Sequence, residues 1–331
     1  MKSAKVVFFE NIKKLSESLE QFDIQSFQNK DVPLKLHMGE KGNKYFPPPG
    51  MVKQVVETLQ NFDVHPFLFD TIVAYNAKRK TKKGYLQVAS DHGFTRENMG
   101  CDIIIDNSGE SIKVDGRDYI VGDHLLDTSH IFALSHVKGH VSTGFGGTIK
   151  NFGMGGVLPE TKRAMHHGAR PIWKMDNCTY CGVCTELCPF GGIKVDKDKK
   201  RWIHDPSCFG CGLCVNVCEN NALDFKDADL QYRLVCSAKA SLQDKKVIYF
   251  NEMRRISKGC DCDPNSGPVI CPDVGYIVSD DPVAIDQASL DLIDEVEPNV
   301  FQKHNYVDPS KQVRYGEKLG LGNRNYKLEE I

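Results

Sequence analysis

At 331 residues the chain has room for two or three domains, and its 26% charged and 40% hydrophobic residues are those of a globular protein rather than a disordered one. A net charge of −2 argues against nucleic acid as the main partner. No apolar run approaches the roughly 18 residues of a membrane helix, which argues against a membrane partner.

The N-terminus, MKSAKVVFFE, has only four consecutive apolar residues before Glu10. That is too short for the apolar region of a secretory signal, so it reads as a buried strand and the expected location is cytoplasmic. Residues 1–172 read as the first part of an α/β domain. The apolar spacing of Ile12, Leu15, Leu19 and Phe22 predicts a helix over 11–22. VPLKLHM (32–38) predicts a strand, and the Pro47–Gly50 break precedes a helix, MVKQVVETLQNF. PFLFD after His65, DIIID (102–106) and HIFALSHV (130–137) predict further buried strands. Beyond a cysteine-rich module at 173–226, VIYFN (247–251) and VGYIVS (274–279) predict strands, and Pro282 opens a helix to about Val296. Strands alternating with helices imply a mainly parallel sheet. The fold class expected is therefore α/β, with residues 227–296 as the second part of the same domain. The polar tail, 297–331, is expected to wrap the surface.

Thirteen cysteines are present, eight of them between Cys178 and Cys218. A disulfide scaffold needs an oxidising compartment, so metal ligation is the better account. CTYCGVCTELCPFGGIKV (178–195) and CFGCGLCVNVCENNALDF (208–225) align without gaps, and both carry C-x2-C-x2-C-x3-C spacing. Two-residue gaps let three thiolates of one turning loop reach three irons of a cubane. The module resembles a bacterial-type two-cluster ferredoxin. The resemblance implies two [4Fe–4S] clusters, one on Cys178, Cys181, Cys184 and Cys218, the other on Cys208, Cys211, Cys214 and Cys188. Glu219 stands where Pro189 follows the fourth cysteine of the first half. The module holds seven Lys or Arg and seven Asp or Glu, a neutral balance that suits electron passage within the chain.

Three other stretches, KLHMGEKGNKYFPPP (35–49), SHVKGHVSTGFGGTIKNFGMG (135–155) and CDC with DPVAID (260–286), together resemble the family named domain of unknown function 362. That resemblance covers nearly the whole chain and implies a ferredoxin insertion but no reaction. The α/β part is also similar in outline to nickel-dependent lactate racemase, without a residue-by-residue match.

Chemistry is therefore read from residues. Segment 139–156 has seven glycines, including Gly144, Gly146 and Gly147, beside Lys150 and Asn151. Glycines free backbone N–H groups to converge on an anion, and a lysine adds charge. The segment matches neither the P-loop nor the dinucleotide fingerprint. His136, Lys138 and His140 alternate just before it, so His136, His140 and Lys150 are the expected catalytic groups. Lys35, His37 and Glu40 form a second polar cluster at a strand end, with Asp70 and His92 of the same kind. Cys260, Cys262 and Cys271 are read as ligands of an additional metal ion, and Cys101 and Cys236 as core.

The leading expectation is an iron–sulfur redox protein, with an external redox partner, whose clusters exchange electrons with an anionic ligand or metal site in the α/β domain. The alternatives are a non-enzymatic electron carrier with a docking domain, and a non-redox isomerase or metal-cofactor enzyme with structural clusters.

Overall fold

The computed structural model describes residues 3–331. Eight strands form one sheet: β1 (Ala4–Phe9), β2 (Asp31–Lys35), β3 (His65–Thr71), β4 (Ile103–Asp106), β5 (His130–His136), β6 (Lys246–Met253), β7 (Gly275–Ser279) and β8 (Tyr326–Glu330). Their order is β8-β1-β7-β6-β5-β2-β3-β4. Only β7 runs against the rest, pairing antiparallel with β1 and β6, while every other pairing is parallel.

The apolar runs read as strands because the sheet is covered on both faces. In β5, Ile131 and Ala133 enter one core and Phe132 and Leu134 the other. In β6, Val247 and Tyr249 alternate in the same way with Ile248 and Phe250. Burying a side chain such as Phe132 stabilises the fold by roughly 2–3 kcal/mol. Helix α1 (Pro49–Gln60) buries Met51, Val52, Val55, Val56 and Leu59 on one face of the sheet, where α2 (Lys82–Asp91) adds Tyr85 and Ala89. On the other face lie α3 (Thr148–Gly155), α4 (Pro159–Gly168), α5 (Leu230–Leu242) and α6 (Pro282–Val296).

Two expectations change. The helix over 11–22 is only a 3-10 turn, Ile12–Lys14, and an α-helix, Leu15–Leu19. It ends early because the N–H groups of Gln21 and Phe22 bond three residues back, to Ser18 and Leu19. The tail is not a surface wrap. It forms α7 (Val300–Asn305) and α8 (Lys311–Lys318), then adds β8 in parallel to β1. Lys327 and Glu329 on that strand suit a sheet edge exposed to water.

The cysteine-rich segment lies between α4 and α5. Its two ends pair as an antiparallel stem, Pro171–Trp173 with Leu223–Phe225, extended by Lys226 N–H to Arg170 O and Asp227 N–H to Gly168 O. A second ribbon, Ile193–Asp196 with Arg201–His204, and two short helices, Val183–Glu186 and Leu213–Asn216, complete it.

Candidate functional site

The parallel strands β2, β3, β5 and β6 end on one side of the sheet, the side where α/β folds place their ligands. There the segment Cys260–Asp261–Cys262 is gripped from two directions. Glu40 N–H donates to Asp261 O at 3.0 Å, and the Asn43 amide donates to Asp263 O at 2.7 Å. From the β5 side, His136 Nδ1 meets Asp261 Oδ1 at 2.9 Å and its Nε2 meets Arg254 O at 2.9 Å, so both ring nitrogens face oxygens. Lys138 Nζ reaches the other carboxylate oxygen at 3.1 Å. Burial raises the Asp261 carboxyl, but Lys138 and His136 outweigh it and hold it below the usual carboxylate range.

The two sulfurs of this segment face His140 and Lys150. A ring nitrogen of His140 and the Sγ atoms of Cys260 and Cys262 all lie within 4.8 Å of one another. Lys150 Nζ donates to Cys260 Sγ at 3.3 Å, and the Cys262 backbone N–H donates to the same sulfur at 3.4 Å. The hydrogen bond from Cys262, then Lys150 and His140, overcome burial and bring the Cys260 thiol well below its ordinary value, while the proton stays on Cys262, which is raised. Burial opposes charge on Lys150, yet the two sulfurs more than compensate and hold it as an ammonium. His140 is lowered to about 4 by burial and by Lys150, so it is neutral.

A second buried network stands beside these. Lys35 Nζ pairs with Asp70 at 3.0 Å and donates to Asn151 Oδ1 at 2.7 Å. The fully buried Arg79 guanidinium reaches Glu40 Oε2 at 3.0 Å, His37 Nε2 at 2.9 Å and the hydroxyls of Tyr75 and Tyr85. Burial and then Arg79 lower His37 well below its ordinary value. Lys162 Nζ donates to Thr71 Oγ1 at 2.8 Å and Ile72 O at 2.6 Å. Burial brings it down to about 7 against the pull of Asp70.

One cleft of about 1540 Å³ joins these groups. His37, Glu40, His140, Lys150, Cys260 and Cys262 line it, whereas Lys35, Asn151 and His136 lie behind its wall. Eight Lys or Arg and four Asp or Glu line it, so its field favours an anion. Its far side is the cysteine-rich module, through Leu187, Pro189, Phe190, Cys208 and Phe209.

The glycine-rich loop does not present its amides to this cleft. The first N–H groups of α3, on Thr148 and Ile149, donate to the Asp286 carboxylate at 2.7 and 2.8 Å. A Cβ on Gly147 would collide with that carboxylate, and one on Gly144 with Val307 O. One on Gly146 would crowd Lys150, and one on Gly155 the Lys35 ammonium. The glycines therefore serve close packing, and the anion they admit is the chain's own Asp286. The site of three cysteines is not assembled either. Cys271 lies in the main core, its thiol pushed up to about 11 by burial, then by Glu297 and Asp273, and His140 takes its place near the pair. Asp70 belongs to the buried network, while His92 stacks on Phe46 and bonds Met38 O. Arg79 and Lys162 were not legible as site residues, because AKRKTKK (77–83) and ETKRAMHH (160–167) have the composition of solvated surface.

In the module, Cys178, Cys181, Cys184 and Cys218 surround a cavity of about 200 Å³ with Trp202 on its wall. Gly192 N–H donates to Cys188 Sγ at 3.2 Å, and the same glycine packs against Cys208. Ala222 N–H donates to Cys218 Sγ at 3.3 Å. Such N–H to sulfur bonds and the all-thiol donor sets fit iron–sulfur clusters. Gly182 and Gly212 turn the two loops at φ 90° and 75°, a region open to glycine.

A family model described as "Domain of unknown function (DUF362)" matches residues 32–291. The chain is 34% identical over 83 residues to pyruvate synthase subunit PorD of Thermotoga maritima, covering 23% of this chain and 84% of that protein. It is 53% identical over 30 residues to an uncharacterized ferredoxin of Methanocaldococcus jannaschii, covering 9% of this chain and 42% of that one. These matches and the cysteine sets together point to iron–sulfur binding. Among solved structures, the lactate racemase apoprotein of Thermoanaerobacterium thermosaccharolyticum overlays with a TM-score of 0.38 at 11% identity, over 75% of this chain. The chain spans half the length of that protein. No helix among the described residues is long and apolar enough to cross a membrane.

Proposed function

The chain belongs to the DUF362 family, a name that carries no reaction, and from its own residues we propose an iron–sulfur redox protein that exchanges electrons with an anionic small molecule held in the cleft. Cys178, Cys181, Cys184 and Cys218 would hold one [4Fe–4S] cluster, and Cys208, Cys211, Cys214 and Cys188 the other. When bound, such clusters supply one-electron transfer.

The observation that carries the reading is the shared cleft: Cys208 and Phe209 line it together with Lys150, His140 and Cys260. The ligand would therefore bind between the second cysteine loop and the polar groups of the sheet. Lys150 would draw its negative charge, and Leu187, Phe190 and Phe209 would offer its apolar part a surface. Arg79 is committed to Glu40 and His37, so it shapes the wall rather than supplying free charge.

Metal and sulfide analysis of anaerobically purified protein, followed by reduction and electron paramagnetic resonance, tests this. About eight iron and eight sulfide per chain are expected, with both clusters reducible at low potential. About four iron, stoichiometric zinc, or clusters that resist reductants stronger than dithionite would overturn it. Lys150→Ala is expected to weaken anion binding with iron content unchanged, and loss of iron would mark Lys150 as structural.

A further inference from the structure

The Cys260 sulfur has surroundings that neither packing nor cluster ligation explains. Lys150 Nζ and the Cys262 N–H both donate to it, at 3.3 and 3.4 Å, and a ring nitrogen of His140 lies within 4.8 Å of it. These donors compensate a thiolate. They do not suit a metal ion. Ser142 N–H donates to His140 Nδ1 at 3.2 Å, so the ring carries its proton on Nε2 and offers the sulfurs a donor rather than a lone pair. The Lys150 ammonium already lies beside Cys260 as its counter-charge. Cys262 is the more accessible of the two, and its sulfur lies within 4.8 Å of that of Cys260. His136 and Lys138 clamp the intervening Asp261, which holds both sulfurs toward the cleft.

We propose that Cys260 and Cys262 form a redox-active dithiol at the floor of the cleft, with Cys260 as the attacking sulfur and a small carboxylate-bearing disulfide as its substrate. The chemistry is thiol–disulfide exchange. The Cys260 thiolate attacks one substrate sulfur, a new S–S bond forms, the substrate S–S bond breaks, and one substrate thiolate leaves. Cys262 then attacks Cys260 Sγ in the mixed disulfide, its proton passes to the departing second thiolate, and the Cys260–Cys262 bond closes. The pair has lost two electrons and the substrate has gained them. Two electrons, one from each of two reduced clusters, with one proton from water restore the Cys260 thiolate and the Cys262 thiol. The restoring half rests on the electron-transfer reading above, while the exchange half does not.

The test titrates anaerobically purified holoprotein with glutathione disulfide, then alkylates free thiols and maps them by mass spectrometry. Closure of Cys260 onto Cys262 is expected, with two glutathione thiols released per chain and iron content unchanged. Cys262→Ser should stop at a glutathione adduct on Cys260, Cys271→Ser should behave as the parent, and Lys150→Gln should slow closure near neutral pH by roughly 10- to 100-fold. The proposal falls if both thiols of the parent remain alkylatable in excess disulfide, or if Cys262→Ser yields no adduct on Cys260. Adding the closed form to cluster-reduced protein separates the two readings. Reopening with loss of the reduced-cluster signal supports both, whereas closure without reopening leaves the dithiol standing and removes the electron-transfer reading.

Discussion

The Asp286 carboxylate accepts the backbone N–H of Thr148 at 2.7 Å, across 138 residues of sequence, and so closes the N-terminus of the glycine-rich helix from α6. Its second oxygen takes Ile149, and Asn251 donates to the first at 3.1 Å. Burial raises this carboxyl to about 6 in spite of those donors.

Asp286→Ala would leave two buried N–H groups without partners. A loss of roughly 2–4 kcal/mol is expected, read as a fall in the thermal midpoint. Asp286→Asn, which keeps one acceptor, should lose less. Equal losses would mean that one retained acceptor is worth nothing and that the charge or the second oxygen carries the effect.

Cys188 follows the first loop in sequence, yet its sulfur accepts from Gly192 N–H, and that glycine packs against Cys208 of the second loop. Cys188→Ser should therefore impair the cluster of the second loop and spare that of the first. Selective loss of the first-loop cluster, seen by electron paramagnetic resonance, would reverse the assignment.

Gly210 sits at φ 79°, where a Cβ would collide with the His166 carbonyl oxygen of α4. The His166 ring bonds back to Gly210 O at 3.1 Å. Gly210→Ala should cost about 2–4 kcal/mol, from the left-handed backbone and the forced shift together. Proteolysis should then cut the module more readily, while a Gly191→Ala control, also at positive φ but with open space around it, changes cleavage less.

Lys162 gives a pH signature. Its ammonium is disfavoured in the fold, about 7 against 10.5 when exposed. Below about 7 both states carry the proton and the burial penalty is complete; as pH rises from there the unfolded chain holds the extra proton, so stability rises. Relative to Lys162→Met, the parent should gain roughly 2.7 kcal/mol between about pH 6 and about pH 9. Thermal midpoints of the two proteins that stay parallel across this range would contradict it.

What could be read from the residues alone follows from which forces are local. Strands β5 and β6 were legible because a run buried on both faces is apolar throughout. His37, Glu40, His140 and Lys150 were legible because polar side chains flank glycines or strand ends, and all four line the cleft. The glycine loop was misread because its anion, Asp286, is supplied by a distant helix. Cys271 resembled a ligand by spacing alone, and only the fold separates it from Cys260. Arg79 and Lys162 look like surface charge in sequence, and nothing local reveals that Glu40, Thr71 and two tyrosines wait for them inside.

The stem at Pro171–Trp173 and Leu223–Phe225 has a bearing on how the chain finds its shape. Strands β5 and β6 are neighbours in the sheet, although the whole cysteine-rich segment separates them in sequence. Once the stem closes, the segment between its arms no longer counts toward the loop that must be drawn shut, and that loop is roughly halved. Loop-closure entropy changes by only about 0.6 kcal/mol per doubling. The sheet therefore reaches its pairing almost independently of the inserted segment, and folding of the α/β scaffold and filling of the thiol cavities are separable events in time.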